Sequence, residues 1–171
     1  MATNRVAWVG NMHGATKPLV MLGKFQAGGS QVIKRGEILE LTNDTNTRWV
    51  PIDSDFSQAA NIAVANEEIK SGDRAGYYEI IVPRPGDIFE YELATASAIA
   101  LGTGLTYSSS EKVTTGGSHA LGYAVGQEHY PMKQGHLSDD AGPDRGETIR
   151  STSYVRMVFK LAASYYSLWN K

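Results

Sequence analysis

An all-β fold is what this sequence predicts, and three observations carry it. Several short runs alternate apolar and polar residues with period two, the mark of strands buried on one face. Those runs are built from Val, Ile, Tyr and Phe, whose side chains pack well on a pleated surface. Between them lie clusters of Gly, Pro, Asn, Asp and Ser that turn the chain. The stretch "GYYEIIVPRPGDIFEYEL" at 76–93 shows all three at once.

Taken in order, residues 1–30 hold glycines at 10, 14, 23, 28 and 29 and Pro18, with apolar islands at 6–9 and 19–22. That is too many breakers for a long helix. The segment reads as an extended N-terminal arm that adds to a sheet or to a partner, ahead of a single β domain over 31–171. "EILEL" at 37–41, the turn formers "TNDTNT" and "RWVPI" at 48–52 read as a hairpin, with Pro51 at an edge or an end. Residues 62–65 suit a short strand and 70–73 a turn. In the next run Tyr78, Ile80 and Val82 share one face and Tyr77, Glu79 and Ile81 the other. Arg84, Pro85, Gly86 and Asp87 fit a type II turn, since Pro fixes φ at its second position and Gly accepts positive φ at its third. The turn is read as joining two hairpin partners.

Beyond it Phe89, Tyr91 and Leu93 face one way and Ile88, Glu90 and Glu92 the other. The two glutamates read as the solvated face of a half-buried strand, because nothing nearby buries them enough to split their pKa values for acid–base work. A second hairpin unit follows over 105–125, and "LGTGLTY" loosely echoes "KRGEILEL", with a glycine two or three residues before a strand. Residues 127–150 are polar and glycine-rich, a long loop of the kind that binds something or forms an ordered arm. Residues 154–161 alternate strongly. An aromatic C-terminal tail then carries Tyr165, Tyr166 and Trp169.

Composition narrows the function classes. At 171 residues, 42% hydrophobic and 20% charged, the chain reads as a globular protein with a sizeable core. Without cysteine there is no disulfide, thiolate metal site or cysteine nucleophile. No apolar run is long enough to span a bilayer, and no signal peptide is read at the start. Residues 1–36 carry Arg5, Lys17, Lys24, Lys34 and Arg35 and no acid, which leaves 11 of the 16 basic residues against all 18 acidic ones elsewhere. These five charges are widely spaced and interleaved only with Trp8 and Phe25, so no nucleic-acid groove is read. His129 and His136 lie seven apart, which fits no common zinc spacing, and "DDAGPDRGE" lacks the order of an EF-hand loop. "GTG" at 102–104 lacks the third glycine of a dinucleotide fingerprint, and no serine sits in a Gly-x-Ser-x-Gly elbow. No catalytic, cofactor or metal residues are assigned.

The opening "MATN", the glycine-broken arm, "GEILEL", "AGYYEIIVPRPGDIFEYEL" and "LTYSSSEKV" with "ALGYAVG" together resemble capsid decoration (cement) proteins of tailed bacteriophages. The resemblance is one of style over residues 1–126. It implies a β-sandwich, jelly-roll or β-tulip-like domain, found on the virion's capsid surface after synthesis in the host cytoplasm. It implies a homotrimer that bridges neighbouring major capsid subunits, with no enzymatic activity, cofactor, nucleic acid or membrane. Arg5, Trp8, Lys17, Tyr165, Tyr166 and Trp169 are the expected partner contacts, as steering charges and aromatic anchors. Two other readings are a small-ligand-binding or hydrolytic β domain, with 127–150 as lid over His129 and His136, and a fibre or tail adaptor.

Overall fold

The structure, a computed structural model, describes residues 8–25, 32–42, 48–53, 61–70, 72–116, 120–126 and 154–160. Among them the chain is all-β, with eleven strands and no helix: β1 (Trp8–Asn11), β2 (Val20–Phe25), β3 (Ile38–Leu41), β4 (Trp49–Pro51), β5 (Ile62–Ala65), β6 (Gly76–Ile81), β7 (Asp87–Leu93), β8 (Gly104–Ser109), β9 (Lys112–Thr115), β10 (Gly122–Gly126) and β11 (Tyr154–Phe159). They form two five-stranded rings. The first is the closed barrel β2-β4-β3-β5-β6. The second runs β7-β11-β10-β8-β9 and is closed by a β9–β7 pairing, with β1 added outside on β7. β2, inside the segment read as an arm, is thus a wall of the first barrel.

The two rings have the same wiring. Replacing β2 to β6 by β7 to β11 in order reproduces every neighbour, and in both the first and third strands make the one parallel pair. The registers agree as well. Phe25 opposite Trp49 corresponds to Leu93 opposite Val113, Leu39 opposite Ala63 to Leu105 opposite Gly122, and Ala65 opposite Ile80 to Ala124 opposite Met157. Even the entry to the second strand repeats. Gly36 and Gly102, at φ 93° and 79°, hold a left-handed conformation that other residues rarely adopt. Each donates its N–H to the fourth strand (Ala65 O and Ala124 O, both 2.8 Å), and Glu37 O and Thr103 O accept in return from Ala65 N and Ala124 N, both 2.9 Å.

Period two then decides which side chains go inside. Phe25, Leu39, Ala63, Ala65 and Ile80, with Ile33 and Ile69 from the connections, fill the first barrel. Phe89, Tyr91, Leu93, Leu105, Val113, Ala124, Val155, Met157 and Phe159 fill the second, where the Phe89 and Phe159 rings meet edge to face at 5.0 Å. The intervening residues Ile38, Val64 and Ile81 point out of the first barrel, yet they are buried because they pack, with Ile52, on the second barrel's cluster. Both faces of β3, β5 and the end of β6 are therefore covered, which explains why "EILEL" and "NIAVA" are more apolar than a half-exposed strand requires.

The chain over 76–93 is not a hairpin. The turn forms, with Asp87 N donating to Arg84 O at 3.0 Å and Gly86 at φ 82°. It carries the chain from one barrel to the next, because both edges of β6 are already taken by β2 and β5. The hairpin expected over 37–52 is present as β3–β4, and the second unit expected over 105–125 holds the hairpin β8–β9 with β10 returning to pair with β8.

Candidate functional site: the arm clasp and the open edge of the first barrel

The tightest polar cluster ties the arm to the second barrel. Asp87, at the start of β7, is 1% exposed. Its Oδ1 accepts from the Trp8 indole Nε1–H at 3.0 Å, Asn11 Nδ2 at 2.8 Å and Arg84 Nη2 at 3.2 Å. Its Oδ2 accepts from Arg84 N at 2.8 Å and Arg84 Nε at 3.1 Å. Burial alone would push this carboxyl up, but the hydrogen bonds from Arg84, Trp8 and Asn11 outweigh it and hold the group below the usual carboxylate range. Arg84 also donates from Nη2 to Lys17 O at 2.7 Å, so the same guanidinium pins the chain on its way to β2. β1 itself pairs antiparallel with β7, Trp8 opposite Phe89 and Asn11 opposite Asp87.

Of the residues expected to meet a partner, Trp8 therefore lies half-buried against the second barrel's core, engaged within its own chain. The Lys17 side chain is exposed. Arg5, Tyr165, Tyr166 and Trp169 lie outside the described residues, as do His129, His136 and the stretch 127–150. Glu90 faces Arg156 across the β7–β11 pair at 3.5 Å, and Glu92 meets Lys112 of β9 at 2.9 Å. These are cross-strand ion pairs on an outer face. Among the described residues no group of three or more His, Asp or Glu side chains is placed to hold a metal ion, and no helix is long and apolar enough to cross a membrane.

A second junction joins the barrels. Ile38 N donates to Ser110 O at 2.8 Å, Ser110 Oγ donates to Glu37 Oε1 at 3.1 Å, and Lys34 pairs with Glu111. Glu37 is 6% exposed and its Oε2 meets no hydrogen-bond partner among the described residues, and burial pushes this carboxyl up.

The described surface has one continuous apolar strip, on β2. Val20, Met21 and Leu22 are 40%, 49% and 67% exposed. Along one side β2 pairs with β6 from Val20 to Phe25; along the other, among the described residues, it pairs only at Phe25 with β4. The sequence reading named the apolar island at 19–22 but placed it in an extended arm and not in a barrel wall, because "PLVMLGKF" does not alternate, and it read Asp87 only as a turn residue. The signal was that island itself, four apolar residues over 19–22 outside any alternating pattern. No family model matches the chain, and neither a curated protein nor a solved structure matches it at a significant level.

Proposed function

We propose that this chain is a structural virion protein that binds the outside of a tailed-phage capsid and stabilises it by bridging neighbouring major capsid subunits, as a homotrimer. The observation that carries the reading is the pair of strand edges on β7 and β2. On β7 an extended segment is already added as a strand and anchored by an aromatic ring, and on β2 the corresponding apolar edge has no strand partner over residues 20–24 among the described residues. Strand addition supplies main-chain hydrogen bonds over an extended contact, and repetition over a lattice turns modest contacts into firm attachment. In this reading the tandem barrels serve in place of the sandwich, jelly-roll or β-tulip domains of the proteins the sequence resembles. The protein acts at the capsid surface without cofactor, nucleic acid or membrane.

The test is compositional. Gradient-purified virions of the phage that encodes the chain should contain it in stoichiometric amount on the shell, and particles lacking it should break at lower temperature. Absence from virions sinks the proposal, and presence only on fibres or tails would replace it with the adaptor reading. The arm's contribution is best probed by deleting residues 1–7 together with Lys17→Glu. A larger deletion through residue 17 would also remove Trp8 and Asn11 from Asp87, confusing lost attachment with lost folding.

A further inference from the structure

We propose that the edge of β7 at Asp87 is a preformed strand-acceptor site, and that it takes residues 8–11 from a second copy of this chain as well as from its own. The site stands without β1. The second ring closes through the β9 pairing at Glu92 and Leu93, whereas β1 lies outside the ring, against residues 87–89. Removing β1 therefore breaks none of the pairings that close the ring. Asp87 also keeps its aim, because both partners of its Oδ2, Arg84 N at 2.8 Å and Arg84 Nε at 3.1 Å, belong to the turn just before it. What β1 brings falls on Oδ1, from Trp8 Nε1 at 3.0 Å and Asn11 Nδ2 at 2.8 Å. Two backbone carbonyls complete the site: Pro85 O accepts from Asn11 Nδ2 at 3.3 Å, and Gly86 O from Met12 N at 2.9 Å.

The site also reads a pattern. Trp8 lies opposite Phe89 and Asn11 opposite Asp87, so three steps along β1 match two along β7. A bulge between Trp8 and Gly10 takes up the extra residue. In a regular strand residues three apart face opposite sides, and the bulge lets both donors reach the same carboxylate oxygen. The ligand class is thus an extended segment with an indole N–H and, three residues on, a side-chain amide. Of the three tryptophans, Trp49 has Ile52 at that spacing and Trp169 is followed directly by Asn170; in the sequence only residues 8–11 fit. The donors of this contact lie within residues 8–12 and the acceptors within 85–87. None of the bonds requires the two runs to belong to one chain, so a second copy's β1 makes the same ones. Reciprocal exchange keeps every contact and closes on a two-fold axis. Arg84 Nη2 still holds Lys17 O of its own chain, which leaves residues 13–16 as the connection that must straighten.

Two full-length variants separate donor from acceptor, with no particle involved, so the outcome is independent of the capsid proposal. Trp8→Ala loses the ring but keeps the site; Asp87→Ala loses the site but keeps the arm. Each alone should sediment as a monomer, and an equimolar mixture at high micromolar concentration should form a one-to-one heterodimer. A labelled peptide of residues 4–14 should also bind the Trp8→Ala chain and raise its melting temperature. The same peptide carrying Trp8→Ala should bind at least about ten-fold more weakly, as expected for loss of a buried aromatic anchor. If Asp87→Ala proves too unstable to mix, the peptide alone decides, because it reports on a chain whose acceptor is intact. The proposal is overturned if the two folded variants stay monomeric when mixed, or if the two peptides act alike on the Trp8→Ala chain.

Discussion

The two barrels share their wiring and registers but fill their interiors by opposite choices. At one corresponding pair of sites the first barrel has Gly23 and Trp49, and the second has Tyr91 and Val113. A Cβ on Gly23 would lie 2.5 Å from Trp49 Cδ1, so the indole occupies the space that the Tyr91 ring fills in the other barrel. At another pair the first barrel has Ala63 and Ile80, and the second Gly122 and Met157. In the first pair the large residue has moved to the neighbouring strand; in the second it stays on the last strand of the ring and lengthens from Ile to Met while the residue beside it loses its methyl. A core tolerates such exchange provided total volume and the inside–outside pattern survive. What repeats in this molecule is the wiring and the summed volume, and the individual side chains are free to differ.

The strongest test of that comparison is at Gly122. A Cβ there would collide with the Val158 carbonyl and Met157 Cε, and a backbone carbonyl cannot rotate aside. Gly122→Ala should therefore cost about 3 kcal/mol, at the upper end for overpacking a tight core. The reverse exchange at the matching site, Ala63→Gly, loses one methyl and some chain stiffness, and should cost about 1 kcal/mol. Urea denaturation of the two variants reads the difference. Equal losses would mean that the two sites do not correspond in packing, whatever their register.

The next largest contrast lies where the barrels' first strands begin, with Asp87 in one and Leu19 in the other. Asp87→Ala leaves the Trp8 indole, Asn11 and the Arg84 guanidinium without their shared acceptor in a buried spot, and should cost about 3 kcal/mol. Leu19→Ala, at a half-buried site, should cost about 1 kcal/mol. Acid sharpens the contrast. Because the folded carboxyl is held below its unfolded range near pH 4, Asp87 stabilises the protein above that range, and the contribution is lost as pH falls through the folded value. The stability gap between the native chain and Asp87→Asn should therefore be constant from pH 7 to about pH 5 and close below about pH 4. A gap that widens on acidification would show that the clasp does not depend on the charge.

Much of the fold was legible because each strand speaks for itself. Phe89, Tyr91 and Leu93 alternate in the sequence and are buried in the second barrel, and the turns at Gly36, Gly86 and Gly102 are where glycine announces them. The echo of "KRGEILEL" in "LGTGLTY" falls on corresponding strands, β3 and β8, with Gly36 and Gly102 in the same conformation. The rest was hidden for a physical reason. Which strands pair is a long-range property, so the Pro-Gly corner at 85–86 looked like a hairpin when it is a passage between barrels. Volume exchange between neighbouring strands erased the residue identities that would have exposed the repeat. The clasp was hidden too, because Trp8 and Asp87 are 79 positions apart and only the folded chain brings them together.

The smallest expected effect concerns the junction, where Glu37 in the first barrel stands in the place of Thr103 in the second. Glu37 is buried, and one of its oxygens accepts from Ser110 while the other has no partner among the described residues. Burial raises its pKa, with the Glu111 carboxylate pushing the same way and Lys34 and the Ser110 hydroxyl opposing. The sign is opposite to that of Asp87. A carboxyl raised on folding favours the folded state below its unfolded pKa, and that advantage is lost as pH climbs through the folded value. At pH 7 the buried charge is a cost, and Glu37→Gln, which keeps the shape and removes the charge, should stabilise the protein by about 1 kcal/mol. That gain should shrink as pH is lowered toward about 4, where the native glutamate is itself neutral. Denaturation midpoints of the two proteins across pH 4 to 7 decide it. If Glu37→Gln is destabilising at pH 7, the carboxylate earns its place at the junction, and the second barrel's threonine is then no guide to what the first barrel needs.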